Sequence, residues 1–128
     1  MKKPTILLVL SLLLLPQAAA QGQTVRTPGV MRSKLAHTQR ILEALMTSNY
    51  SVLERESAAL SRLTETPEWS ELKTSELLGF TKSFLAATQA LAESARQRDL
   101  DGAARHYVEM TTACYECHKY RKGSRIAR

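Results

Sequence analysis

The chain lacks most of the features that identify the common protein classes. It has two cysteines and one tryptophan in 128 residues, and aromatic residues make up only 5% of it. No internal repeat, low-complexity run or convincing strand pattern is present, so the sequence indicates neither a repeat protein nor a β-rich domain. No nucleophile paired with a base is evident, and we predict that the protein is not an enzyme.

Long apolar runs are missing too, except at the start of the chain. Lys2 and Lys3 precede an apolar run over residues 6–15, and three alanines ending at Ala20 follow it. This pattern predicts a secretory signal peptide over residues 1–20. A membrane anchor is less favoured, because ten helical residues reach only about half of a bilayer's hydrocarbon core. We therefore expect a periplasmic protein with no membrane span after cleavage.

Charge of one sign is not dominant either. Of 18 basic and 12 acidic residues, Lys2 and Lys3 leave with the predicted leader, so 16 basic residues face 12 acidic ones. Nucleic acid is not an expected partner, because it is a poor partner for an exported protein. A local basic cluster near the C-terminus is either a solvated tail or a docking patch for an acidic protein. It consists of Lys119, Arg121, Lys122, Arg125 and Arg128.

Residues 21–128 are predicted to form one domain, long enough to bury a core. Residues that start or end helices divide this part of the chain into helical segments. They are Pro28, Gly29, Asn49, Pro67, Asp99 and Asp101. The predicted helices run from Gly29 to Asn49, from about Ser51 to Thr64, from about Thr74 to Gln97, and onward from N-caps at Asp99 or Asp101. Residues 67–73 are predicted to be a connection, with Trp69 packed over one end of the core.

Apolar residues recur at helical spacing within these segments. The inward face of the first helix is predicted to carry Met31, Leu35, Thr38, Leu42 and Leu45. The inward face of the last helix is predicted to carry Leu100, Ala104, Tyr107, Thr111, Cys114 and His118. Four helices with short connections and near-heptad spacing predict an all-α fold, an antiparallel up-down-up-down four-helix bundle.

Both cysteines lie in one motif, Cys114-Tyr115-Glu116-Cys117-His118, close to the C-terminus. Residues at i, i+3 and i+4 of a helix share a face, so Cys114, Cys117 and His118 are predicted to project toward the bundle interior. Two thiols at this spacing can each form a thioether to a haem vinyl group, and the imidazole can then bind the iron. The motif C-x-x-C-H thus predicts one covalently attached haem c.

Three other interpretations of the cysteine pair were weighed. A disulfide suits an oxidising compartment but does not explain His118. A thioredoxin-like dithiol opens a helix after a strand, whereas this pair closes a long helix. A zinc site needs a fourth ligand, and His106 lies roughly 12 Å or more away along the helix axis. Covalent haem is the favoured interpretation.

The C-terminal stretch CYECHKYRKG, after four predicted helices, resembles the class II c-type cytochromes, which include cytochrome c′ and its low-spin six-coordinate relatives. The resemblance covers the whole mature chain, and VMRSKLAHTQRILEAL is similar to bundle proteins with a methionine in the first helix. Cytochrome c′ usually has an aromatic residue and an arginine three and four positions after the haem histidine. Here Tyr120 and Arg121 come two and three positions after His118. Arg121 or Lys122 is therefore expected to approach a haem propionate. Homodimers are common in the family, and the sequence does not decide whether this protein forms one.

The sixth iron ligand is predicted from the order of the helices. In an up-down-up-down bundle the start of the first helix lies beside the end of the last, which puts Met31 near His118. Met46 lies roughly 22 Å further along the first helix, and Met110 shares a helix with His118. His37 is about 9 Å past Met31 and on the flank, where a satisfied or surface histidine is expected. An open or water-bound iron remains the alternative to Met31.

Histidine and methionine ligands leave no vacant iron position, which suits transfer of a single electron, and the thioether raises the potential. The sequence therefore predicts a periplasmic electron carrier that binds redox proteins transiently. The alternative, implied by the resemblance to cytochrome c′ itself, is a five-coordinate haem protein that binds nitric oxide or carbon monoxide. A third alternative is an exported helical module without haem.

Overall fold

The computed structural model of the chain describes residues 29–70 and 74–126, with side chains as far as residue 123. Within these residues every regular element is a helix: α1 (Gly29–Met46), α2 (Tyr50–Leu63), α3 (Pro67–Ser70), α4 (Leu78–Arg96) and α5 (Leu100–Ile126). The predicted signal peptide lies outside the described residues. None of the described helices is long and apolar enough to cross a membrane.

The four long helices match the four predicted segments. The third begins at Leu78 rather than at about Thr74, because Thr74 and the residues after it form turns. The predicted connection contains the short helix α3, which carries Trp69. The Trp69 side chain is buried and its ring stacks on Phe84 at 5.5 Å between centroids, so the predicted packing of Trp69 on the core is confirmed.

The helices pack around one core. Contacts join α1 to α2, α2 to α4, α4 to α5 and α5 back to α1, and the α1–α5 interface is the smallest of the four. The largest side chains with no exposed surface are Phe84, Ile41, Leu53, Leu60, Leu91 and Met110. This all-helical packing is compatible with a four-helix bundle.

The predicted inward face of α1 is wrong by about one residue of rotation. Leu35 and Leu42 are 57% and 44% exposed, whereas Lys34 and Ile41 are buried. The full buried set of α1 is Val30, Lys34, Ile41, Ala44 and Leu45. The predicted and the observed buried residues repeat with the same helical period. The prediction selected the wrong face because it counted Lys34 as polar. Its aliphatic stem packs in the interior like an apolar side chain.

The two tight connections between long helices use the same pair of conformations. Ser48 and Arg98, two residues after the ends of α1 and α4, adopt left-handed backbone angles, φ 52° and φ 57°. The next residues, Asn49 and Asp99, each accept a hydrogen bond from a backbone N–H three residues on, at 3.2 and 2.9 Å. The left-handed residue ends one helix and the side-chain cap starts the next. The predicted N-cap at Asp99 is confirmed.

A buried carboxylate joins α1 to α2. The Glu56 side chain is 6% exposed, and its oxygens accept hydrogen bonds from Arg40 Nε at 2.7 Å, from Arg55 Nε at 2.9 Å and from His37 Nδ1 at 2.7 Å. Burial alone raises the pKa of Glu56, but the hydrogen bonds and the Arg40 charge outweigh it and lower the pKa from 4.5 to about 2. His37 is thus a satisfied histidine, as predicted.

Replacing Glu56 by glutamine is expected to destabilise the protein by about 2 to 3 kcal/mol at neutral pH, because two arginines lose their buried anion. The folded pKa of Glu56 lies below its ordinary value, so its stabilisation is present above pH 4.5 and is lost as the pH falls toward 2. Urea unfolding followed by circular dichroism across this pH range measures both effects.

The matched control is Glu93→Gln, which removes an exposed carboxylate bound to Arg96. It should leave the free energy of unfolding nearly unchanged, since exposed ion pairs add little. Two results would contradict this role for Glu56. One is an equal loss of unfolding free energy in the two variants, and the other is an acid dependence of stability that Glu56→Gln leaves unchanged.

Candidate haem attachment site

The C-x-x-C-H motif lies in the second half of α5, which continues to Ile126. Cys114 and Cys117 are free thiols, one helical turn apart and both half-buried. Cys114 packs against the hydrophobic core. Two thiols on one side of a helix can therefore react with a single flat molecule lying against the bundle.

His118 occupies a more open position than predicted. His118 is exposed, whereas Cys114 is half-buried and packs against the core. Burial of part of the ring, followed by the charges of Lys34 and Arg121, nevertheless lowers the pKa of His118. An imidazole can bind a metal through a ring nitrogen when that nitrogen is unprotonated.

The Cys117 thiol shares these neighbours. Burial raises the pKa of Cys117, and the charges of Lys34 and Arg121 partly oppose the effect. A raised pKa lowers the thiolate fraction, so Cys117 lacks the activation expected of a catalytic cysteine.

Lys34 is the unexpected member of the site. It is a buried lysine whose Nζ lies 4.0 Å from the ring centroid of Phe84 and 4.9 Å from that of Trp69. Its charge lowers the pKa of both Cys117 and His118. The early turns of α1 therefore lie near the motif on α5. Among the described residues, no carboxylate is within ion-pair distance of Lys34.

The Trp69 indole lies beside Lys34. Its Nε1 is the one buried side-chain nitrogen or oxygen of the described residues that lacks a hydrogen-bond partner. Buried polar atoms are nearly always paired, so an orphaned donor in a binding region is a sign of a missing acceptor.

Met31 lies one turn before Lys34 on α1. It is half-buried and packs against the core. The competing residues are elsewhere: Met46 is 74% exposed, Met110 is fully buried in the core, and His37 is bound to Glu56. Met31 therefore stays the predicted sixth iron ligand, because none of the other three residues is better placed.

The remaining residues predicted around the motif are accounted for. Tyr107 is half-buried against the core, and burial and then the charge of Cys114 raise its pKa. Tyr120 packs against Phe80 of α4 at 5.8 Å between ring centroids. His106 Nδ1 lies 2.9 Å from Glu109, away from the cysteines. Within the described residues no three His, Cys, Asp or Glu side chains converge on one metal position, so a zinc site gains no support.

Sequence reasoning found the motif but missed Lys34. A lysine four residues after Val30 and seven before Ile41 has the spacing of a buried position, and that spacing was the available signal. Comparison of the chain with protein-family models, curated proteins and solved structures gives no match. Functional inference therefore depends on the residues themselves.

Proposed function

We propose that this chain is an exported monohaem c-type cytochrome that carries one electron at a time. Haem c is bound covalently through Cys114 and Cys117, and His118 and Met31 are the iron ligands. The observation that carries the proposal is the C-x-x-C-H motif on one helix, with two free, half-buried thiols one turn apart and His118 directly after the second.

The proposed arrangement of the four long helices is antiparallel. The connections between α1 and α2 and between α4 and α5 are three residues each, which suits antiparallel neighbours. Along α2 and α4, Ser61 lies 3.1 Å from Thr88, and Glu54 lies 3.5 Å from Arg96. These two pairs run in opposite order along the helices and so support opposite directions.

The described residues suit a haem at this end of the protein. Phe84 and Trp69 provide apolar ring faces beside Lys34, and Trp69 Nε1 is a buried donor without a hydrogen-bond partner among the described residues. A bound haem would supply a one-electron iron couple in a largely apolar shell. The α1–α5 interface is the smallest of the four between long helices, so a ligand between these two helices would separate few existing contacts.

Met31 suits the sixth position because it is half-buried at the same end as His118. The charge of Lys34, one turn further along α1, lowers the pKa of His118, as does the charge of Arg121. A thioether at this position favours ferrous iron and a higher potential than water or a second histidine. It also closes the iron to small molecules, which separates an electron carrier from a gas-binding protein.

The proposed partners are periplasmic redox proteins that bind transiently. His118 is exposed, and the exposed side chains of Lys119 and Lys122 follow it, so a positive rim surrounds the proposed site. Such a rim speeds encounter with an acidic surface and weakens with added salt. Export by the predicted signal peptide would bring the protein to the compartment where such partners reside.

An absorption spectrum of the purified mature protein in its ferric and ferrous states tests the function. We expect a low-spin spectrum in both states and a weak far-red ferric band from thioether ligation. A colourless protein overturns the haem proposal. A high-spin ferric spectrum retains the haem and overturns the electron-carrier assignment.

A further inference from the structure

We propose that His37 is a proton-controlled switch in the contact between α1 and α2. When Nδ1 of its ring carries a proton, that nitrogen donates a hydrogen bond to Glu56 of α2. When Nδ1 loses the proton, it accepts a hydrogen bond from Arg40 of α1 instead. The inference does not rest on the proposed function, because none of these three side chains belongs to the proposed haem site.

The first observation is that one nitrogen of His37 lies between two groups that need opposite partners. Nδ1 is 2.7 Å from Glu56 Oε2 and 2.9 Å from Arg40 Nη2. An ionised carboxylate only accepts hydrogen bonds, and a guanidinium only donates them. A ring nitrogen of histidine donates when it is protonated and accepts when it is not. Nδ1 can therefore bond to only one of the two groups at a time, and its proton decides which.

The second observation is that the two groups depend on His37 to different degrees. Glu56 has other donors: Arg40 Nε is 2.7 Å from Oε2, and Nε and Nη2 of Arg55 are each 2.9 Å from Oε1. Among the described residues, Arg40 Nη2 has no hydrogen-bond acceptor other than His37 Nδ1. A neutral ring with its proton on the other nitrogen, Nε2, can thus accept from Arg40 while Glu56 keeps both arginines.

The exchange of partners changes what holds α1 in place. The bond to Glu56 joins two helices, whereas the bond to Arg40 stays within α1. Histidine side chains ordinarily change their charge between about pH 5 and 8. The pKa of Glu56 is lowered to about 2, so its carboxylate is ionised throughout that range. The bond between the helices should therefore be present at the acidic end of the range and lost as the pH rises through the titration of His37.

The other charged groups near His37 leave this choice to Glu56 and Arg40. From α2, Arg55 is the remaining charged member of the cluster, and it binds the opposite oxygen of Glu56. Among the described residues, no charged side chain of α3, α4 or α5 is within hydrogen-bond or ion-pair distance of His37. The His37 side chain is 21% exposed, so solvent protons can reach the ring.

NMR spectroscopy of the reduced, nitrogen-15-labelled full-length mature protein tests the switch. Couplings between the ring nitrogens and the carbon-bound ring protons show which nitrogen carries a proton at each pH. We expect both His37 nitrogens to be protonated near the acidic end of the histidine range, at about pH 5, and only Nε2 to be protonated above about pH 8. The side-chain resonances of Arg40 should shift with the same midpoint as those of His37.

His106 is the matched control, because its Nδ1 also lies 2.9 Å from a glutamate, Glu109, without a hydrogen bond from an arginine among the described residues. No arginine resonance should follow the titration of His106. Arg40→Ala removes the competing donor, so the neutral His37 ring of this variant should keep its proton on Nδ1 and its bond to Glu56.

Three results would overturn the inference. One is a neutral His37 ring in the wild type that keeps its proton on Nδ1. Another is a set of Arg40 resonances that does not follow the titration of His37. The third is a neutral ring in Arg40→Ala that still carries its proton on Nε2. If Arg40→Ala does not fold, the wild-type titration decides alone. The measurement is the same for a pigmented and a colourless protein, so its failure is separate from that of the proposed function.

Discussion

Replacing Cys114 and Cys117 together by alanine is expected to abolish covalent pigment completely. In the wild type, colour should remain with the polypeptide after denaturation and extraction with acidified organic solvent, because thioether bonds do not depend on the fold. In the double variant all colour should be extracted, since His118 binds iron only non-covalently. The mass of the intact chain and the extracted absorbance measure the change.

Single variants provide the control for this experiment. Cys114→Ala and Cys117→Ala each leave one thiol and should retain part of the covalent pigment, with one vinyl group unreacted. The opposite outcome is simple to recognise. If both cysteines of the purified, denatured wild type react with iodoacetamide, no haem is attached and the helical module without haem is the better description.

The helices could be predicted from sequence because their signals are local. Asp99 lies three residues before the N–H that it caps, and the spacing of Cys114, Cys117 and His118 places them along one helix whatever the rest of the chain does. Such features depend on a few neighbouring residues. The position of the motif on one helix could therefore be predicted before any packing was known.

The rotation of α1 could not be predicted because it depends on distant residues. Whether Leu35 or Lys34 faces inward is decided by Trp69 and Phe84, which lie on α3 and α4 and contact the lysine. A rule that counts lysine as polar selects the wrong face at this position. The same error hid the contact of Lys34 with the rings of Phe84 and Trp69, which exists only in the folded protein.

Replacing Met31 by alanine is expected to open the ferrous iron to carbon monoxide. While the thioether is bound, carbon monoxide can bind only in the fraction of molecules where Met31 has dissociated. If that fraction is about 1%, the apparent affinity of the wild type is about 100-fold lower than that of the variant. Carbon monoxide titration and flash photolysis of both proteins measure the affinity and the association rate.

Met46→Ala is the matched control, because Met46 lies on the same helix and is 74% exposed. It should behave as the wild type in both measurements. If the wild-type ferrous protein already binds carbon monoxide rapidly and Met31→Ala changes nothing, the iron has an open position. The five-coordinate, gas-binding alternative would then replace the electron carrier, while the attachment through Cys114, Cys117 and His118 would stand. The half-buried position of Met31, one turn from a lysine whose charge reaches His118, is the reason to expect the first outcome.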